Sequence, residues 1–133
     1  MNFDLTQINW LSVVVVTIIS FPLGSLWHSK LLFGKPWKED VHFDPGKKIN
    51  FAGLFGLSAI MHFIAVAGLD LIIGPGSSWL EGLHTGFIVS ILWAFTSMTV
   101  THLFAGRTTR LILIDGGFYL VFFSLAGLIL GAW

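Results

Sequence analysis

The sequence predicts an all-α fold: an integral membrane four-helix bundle with both termini on the non-cytoplasmic side. The chain has 133 residues, of which 55% are hydrophobic and only 11% charged, whereas a soluble domain carries roughly a quarter charged residues. Four apolar runs are each long enough to cross a ~30 Å hydrocarbon layer at ~1.5 Å per residue. The cationic side chains fall only in the first and third connections, and such residues are retained on the cytoplasmic side. These cations are Lys30, Lys35, Lys38, Lys47, Lys48, Arg107 and Arg110.

The four spans form one transmembrane domain that takes in residues 1–133. Tryptophan placement supports their limits, because indole rings favour the headgroup level of a membrane. Trp10 and Trp27 bracket the first span, Trp79 begins the third and Trp133 ends the fourth. The predicted spans are about 8–27, 49–73, 80–104 and 111–133.

The first connection, His28–Lys48, is the longest and is rich in turn residues. Its Trp37 lies among lysines, a composition typical of a short segment at the membrane surface. Five lysines are offset there by Glu39, Asp40 and Asp44. This balance favours a solvated loop over a surface that binds anionic lipid.

Small residues at helical spacing occur on every span and predict close helix packing, since membrane helices associate through close backbone approach. They also favour a homo-oligomer or a second membrane protein as partner, in addition to the lipid bilayer. The small residues are Thr17, Ser20, Gly24, Ala52, Gly56, Ala59, Gly82, Gly86, Ser90, Ser97, Thr101, Gly117, Ser124, Gly127 and Gly131.

Ionisable side chains in a span cost a few kcal/mol on insertion scales, so they are the best candidates for function. The inner set is His28, Asn50, His102 and Asp115, with Tyr119 one turn beyond Asp115 on the same face. His102 and Asp115 are expected at matching depths. Asp115 is predicted to pair with His102 or an arginine, or to accept a proton in a relay. The alternative is a buried clamp that holds the hairpin.

Two further depths carry ionisable groups. His62 stands alone near the middle of the second span, where it either bonds a serine or threonine or has a pH-sensitive or ligand-contacting role. The outer set is Asp70, Glu81 and His84. The i, i+3 spacing of Glu81 and His84 is one that lets a carboxylate and an imidazole share a metal. Alternatively, Glu81 stabilises the N-terminus of the third span.

Several function classes are excluded or unsupported. The net charge is zero, which argues against a nucleic-acid partner because phosphate neutralisation needs a basic face. Without cysteine the chain has no disulfide, thiolate zinc site or cysteine nucleophile. No common enzyme motif is present, so the sequence predicts no cofactor and gives little support for an enzyme.

One stretch resembles a known family. Ile8-Asn9-Trp10-Leu11 opens the first span, and Gly24 to Trp37, which includes Trp27-His28-Ser29 and Phe33-Gly34-Lys35-Pro36-Trp37, closes it. This pattern resembles a bacterial family of small four-helix membrane proteins called domain of unknown function 1761. The resemblance extends over nearly the whole chain. It implies an integral membrane fold and carries no activity with it. The predicted location of this multipass chain is the inner (plasma) membrane.

Three function hypotheses therefore stand. The first is a small oligomeric protein that handles a proton, an ion or a small solute through Asp115, His102 and His62. The second is a structural or accessory subunit of a larger membrane complex, which rests on the small-residue faces. The third is an intramembrane enzyme or metal protein that uses the outer set.

Overall fold

A computed structural model describes residues 4–133. The first three residues, which belong to the predicted outer N-terminus, lie outside the described part. A short 3-10 turn at Leu5–Gln7 precedes the main helices. These are α1 (Trp10–Trp27), α2 (Gly34–Asp40), α3 (Phe51–Ile73), α4 (Trp79–Val89), a π turn (Ser90–Phe95), α5 (Thr96–Phe104) and α6 (Thr109–Ala132).

Four helical segments are long and apolar enough to cross a membrane, as the sequence predicts. They are α1, α3, the continuous helix Trp79–Phe104 formed by α4, the π turn and α5, and α6. Their limits differ from the predicted ones by one or two residues. The difference arises because polar caps, not hydropathy, fix the helix starts. The side chains that accept a hydrogen bond from the first-turn backbone belong to Asn9, Asn50, Ser78 and Thr108.

The apolar core lies between α1, α3 and α6. Val13 and Val16 of α1 face Val66 and Leu69 of α3, and all four are fully buried. Phe122 of α6 completes the cluster. Of the helices, α6 has the most buried residues, so it is the element against which the others pack.

Helices α4 and α6 form the most extensive helix contact, through glycines. A Cβ atom at Gly82 would overlap the carbonyl of Gly127, and one at Gly86 would overlap the carbonyl of Phe123. Close packing is therefore confirmed for this pair. The stripe predicted on the second span behaves differently. Apart from the adjoining residues and backbone of its own helix, no atom of residues 4–133 lies within 4 Å of a Cβ built at Gly56.

The π turn keeps one face of the third span directed at α6. Residues repeated every four positions drift ~40° per step around an ideal α-helix. Gly82 of α4 and His102 of α5 are five such steps apart, so a straight helix would turn them to opposite sides. The wider π turn at Ser90–Phe95 offsets part of this drift. Gly82 and His102 consequently both meet α6.

The glycine contact gives a stability prediction. Gly127→Ala puts a methyl group against the carbonyl of Gly82, so we expect a loss of about 1–3 kcal/mol in the free energy of unfolding. The measurement is unfolding in mixed micelles by titration with sodium dodecyl sulfate. Gly56→Ala is the matched control and should change little, because the space around it is open. Equal effects of the two substitutions would contradict the packing described.

Candidate functional site

The carboxylate of Asp115 on α6 is the centre of a polar cluster at the basic end of the bundle. Its Oδ2 lies 2.8 Å from Nε2 of His102 on α5. Its Oδ1 accepts a hydrogen bond of 3.0 Å from the indole N–H of Trp37 on α2. Nε2 of His28, at the end of α1, lies 3.9 Å from the same Oδ1. Side chains from three elements thus converge on one carboxylate.

The turn between α5 and α6 sets His102 and Asp115 at the same depth. Gly106 adopts a φ of 65°, which reverses the chain, and the N–H of Arg107 bonds the carbonyl of His102 at 2.9 Å. Thr108 then caps α6, and Asp115 follows two turns later. The predicted pairing of Asp115 with His102 is the one the structure contains.

The backbone fixes how His28 carries its protons. Its Nδ1 lies 2.9 Å from the carbonyl oxygen of Gly24, which can only accept, so Nδ1 bears a proton. The neutral ring therefore presents a lone pair at Nε2 to Asp115, whereas the protonated ring presents an N–H. The Asp115 carboxylate raises the pKa of His28 above its ordinary value, and partial burial opposes this rise.

Trp37 is a site residue that sequence reasoning assigned elsewhere. Expected at the surface or in a solvated loop, it is half-buried, bonds Asp115, and packs edge-on against His28 with ring centroids 5.1 Å apart. The one local feature that indicates an ordered position for Trp37 is the Gly-Lys-Pro-Trp sequence, which starts a helix. Its partner lies 78 positions away, and no local pattern reveals such a contact.

Arg110 anchors the short helix α2 that carries Trp37. Its guanidinium donates to both carboxylate oxygens of Asp40, at 2.8 and 2.7 Å, and to Glu39 at 3.2 Å. Thr108 adds a bond of 2.8 Å to Asp40. The Arg110 guanidinium lowers the pKa of Asp40 to about 2. Arg110 therefore does not form the ion pair with Asp115 that the sequence offers as an alternative, because its guanidinium bonds Asp40 and Glu39 of α2.

A cavity of about 240 Å³ opens beside the carboxylate. Tyr119 also borders a second cavity of about 410 Å³, which contains Ser58 and His62 of α3. Tyr119 lies one turn beyond Asp115, as predicted, and its side chain borders both cavities. The smaller cavity is lined by His28, Trp37, Met98, His102, Asp115, Phe118 and Tyr119.

Two predicted inner and middle residues lie outside the cluster. Asn50 caps α3 by accepting a 3.0 Å bond from the N–H of Gly53, so its side chain serves the helix start. His62 stands edge-on to Phe122, with ring centroids 5.0 Å apart. Its Nδ1 is buried and has no hydrogen-bond partner among residues 4–133. Nδ1 therefore does not make the expected bond to a serine or threonine.

The outer set is not gathered into a metal site. Glu81 and Ser78 form a capping box at the start of α4, which satisfies the Glu81 carboxylate locally. Asp70 accepts a 2.9 Å bond from the N–H of Asn9, and His84 is exposed. Within the described residues no three His, Cys, Asp or Glu side chains are placed to hold a metal ion. The helix-terminus alternative for Glu81 is the one the geometry supports.

Comparison with known proteins identifies the family. The model for the family described as "Protein of unknown function (DUF1761)" matches residues 11–131. The chain belongs to this family. The match includes every residue of the Asp115 cluster. No curated protein and no solved structure matches the chain significantly. The resemblance seen in the sequence is confirmed, and the chain is a multipass membrane protein by the length and composition of its helices.

The contact between Asp115 and His28 predicts a measurable titration. Asp115→Asn removes the charge that stabilises the imidazolium, so the pKa of His28 should fall toward or below its ordinary value of 6.5. Histidine NMR of the protein in micelles measures it. Besides Asp115, the ionisable groups that line the two cavities beside His28 are Lys30, Lys35, Lys38, Glu39, His102 and Tyr119.

The sign of the linked stability follows from the raised pKa. The ion pair contributes fully below the unfolded-state pKa of His28 and is lost as the pH rises through the folded-state value. His28→Gln should therefore cost more stability at pH 5.5 than at pH 8. Glu81→Gln, at the other end of the bundle, is the control for both measurements. An unchanged His28 titration in Asp115→Asn would contradict the assignment.

Proposed function

We propose that this protein takes up and releases a proton at the Asp115 cluster, as a small oligomeric protein of the bacterial inner membrane. A single observation carries the proposal: on a helix long and apolar enough to cross a membrane, a carboxylate lies 2.8 Å from one imidazole and 3.9 Å from another, beside an open cavity. Ionisable groups at this depth are costly and are retained mainly where they act.

The chemistry of the three groups suits proton exchange. Nε2 of His28 holds a lone pair in the neutral ring because its Nδ1 proton is tied to Gly24. A proton arriving through the cavity therefore binds at Nε2 and faces the Asp115 carboxylate. His102 and Trp37 hold the two oxygens of that carboxylate in place by hydrogen bonds. The Asp115 carboxylate that faces the protonated Nε2 is thus oriented before the proton arrives.

The route beyond the cluster is interrupted by the core. Tyr119 leads toward the cavity of His62. Past this point the described helices present Val13, Val66 and Leu69, which are fully buried and apolar. Such a dry layer favours a carrier that exchanges a proton with one side at a time over an open channel. A small solute bound in the same cavity would be moved with the proton.

The charge pattern supports the orientation that this proposal needs. All seven Lys and Arg residues lie at the end of the bundle that contains Asp115. By the positive-inside rule this end faces the cytosol, and the two termini face outward. The cluster is then a proton site on the cytosolic side of the membrane.

A structural role is the alternative, and a specific observation favours it. The face of α3 around Gly56 is open to the surroundings, as a contact surface for another membrane protein would be. In that case the bonds of Asp115 clamp α2 and α5 to α6. Native mass spectrometry from mild detergent distinguishes the two. A stoichiometric heterologous partner supports the accessory role, and a homo-oligomer supports the first proposal.

The direct test is proton flux. Purified protein in liposomes that enclose a pH-sensitive dye is driven by a potassium diffusion potential. We expect wild-type protein to acidify or alkalinise the lumen at least about a hundredfold faster than Asp115→Asn, the lower end of what a proton-transfer group typically contributes. Glu81→Gln should match the wild type, since its carboxylate only caps α4. Equal or absent flux in wild type and Asp115→Asn would overturn the proposal.

A further inference from the structure

We infer that a third cavity, on the loop side of His28, binds the phosphate headgroup of an anionic phospholipid. This cavity of about 390 Å³ contains Lys30, Lys35 and Lys38 from the first connection. Gly34, His28 and Glu39 complete its lining. Three lysine side chains border this one small space, and their positive charge suits a phosphate diester, because Lys binds phosphate as a concentrated point charge.

The positive charge of this cavity is not cancelled by the acids of the same loop. Glu39 and Asp40 are both taken by Arg110, across 3.2 and 2.7 Å. Lys30, Lys35 and Lys38 form no ion pair with any residue in 4–133. The balance of lysines and acids that the sequence shows is therefore misleading. In space, an arginine from the other connection engages both acids. The Lys38 ammonium lies 5.5 Å from the centroid of the Phe43 ring, a contact that leaves its charge uncancelled.

The position of the cavity favours a lipid over a soluble phosphate. Lys30 is three positions beyond the end of α1 at Trp27, where a membrane helix meets the headgroup layer. The next side chain, Leu31, is 83% exposed, and Leu32 is also exposed. Apolar side chains beside a basic cavity provide for both parts of a phospholipid, the charged headgroup and the start of its acyl chains.

The inference does not depend on proton exchange at Asp115. His28 lines both cavities, but the lysines and Arg110 do not contact the Asp115 carboxylate. A failure of lipid binding leaves the flux test intact, and an absence of flux leaves the lipid test intact.

The test is lipid retention by the full-length protein. Native mass spectrometry compares short-chain phosphatidylglycerol with phosphatidylcholine, each titrated into the detergent-solubilised protein. We expect phosphatidylglycerol to be retained preferentially. Lys35→Gln/Lys38→Gln should weaken that retention about tenfold to thirtyfold, since a basic side chain contributes ~1 kcal/mol to anionic lipid binding.

The matched control is Lys47→Gln/Lys48→Gln, which removes the same charge from the same connection but outside the cavity. This variant should keep its preference for phosphatidylglycerol within about twofold. Equal losses in the two double variants, or no preference for the anionic lipid, would overturn the site. Displacement of the lipid by low-millimolar inorganic phosphate would overturn the lipid assignment, because the site would then select free phosphate.

Discussion

A carboxylate in a membrane helix must be surrounded by donors, and the basic end of this bundle is built around that requirement. Asp115 lies on α6, the helix against which the others pack. Its two oxygens are satisfied by His102 from α5 and Trp37 from α2, and His28 from α1 stands within ion-pair distance. Removing these donors would leave a charge in apolar surroundings at a cost of several kcal/mol. The positions of α2 and of the C-terminal ends of α1 and α5 follow from the Asp115 carboxylate.

The opposite half of the bundle obeys a different constraint. There α4 and α6 approach so closely that Gly82 and Gly127 leave no room for a side chain. The contact between these two helices depends on van der Waals packing of their backbones.

The sequence predicted those features that depend on composition and local spacing. Apolar run lengths gave four spans, and the matched depths of His102 and Asp115 across a tight turn gave their contact. Asn50 and Glu81 were placed among functional candidates, yet their short-range bonds make them helix caps. Trp37 and the pairing of Arg110 with Asp40 were missed, because both join segments that are about 70 or more residues apart and depend on the assembled fold.

The two cavities that share His28 are coupled by electrostatics. A phosphate group beside Lys35 would add negative potential at the imidazole, in the same sense as the Asp115 carboxylate on its other side. Protonated His28 would in turn attract the phosphate. Because coupling between two binding equilibria is reciprocal, the bound headgroup must favour the proton by the same factor as the proton favours the headgroup. If both proposed sites operate, the lipid composition shifts the pH at which His28 is protonated, through a side chain whose Nδ1 is already fixed by α1.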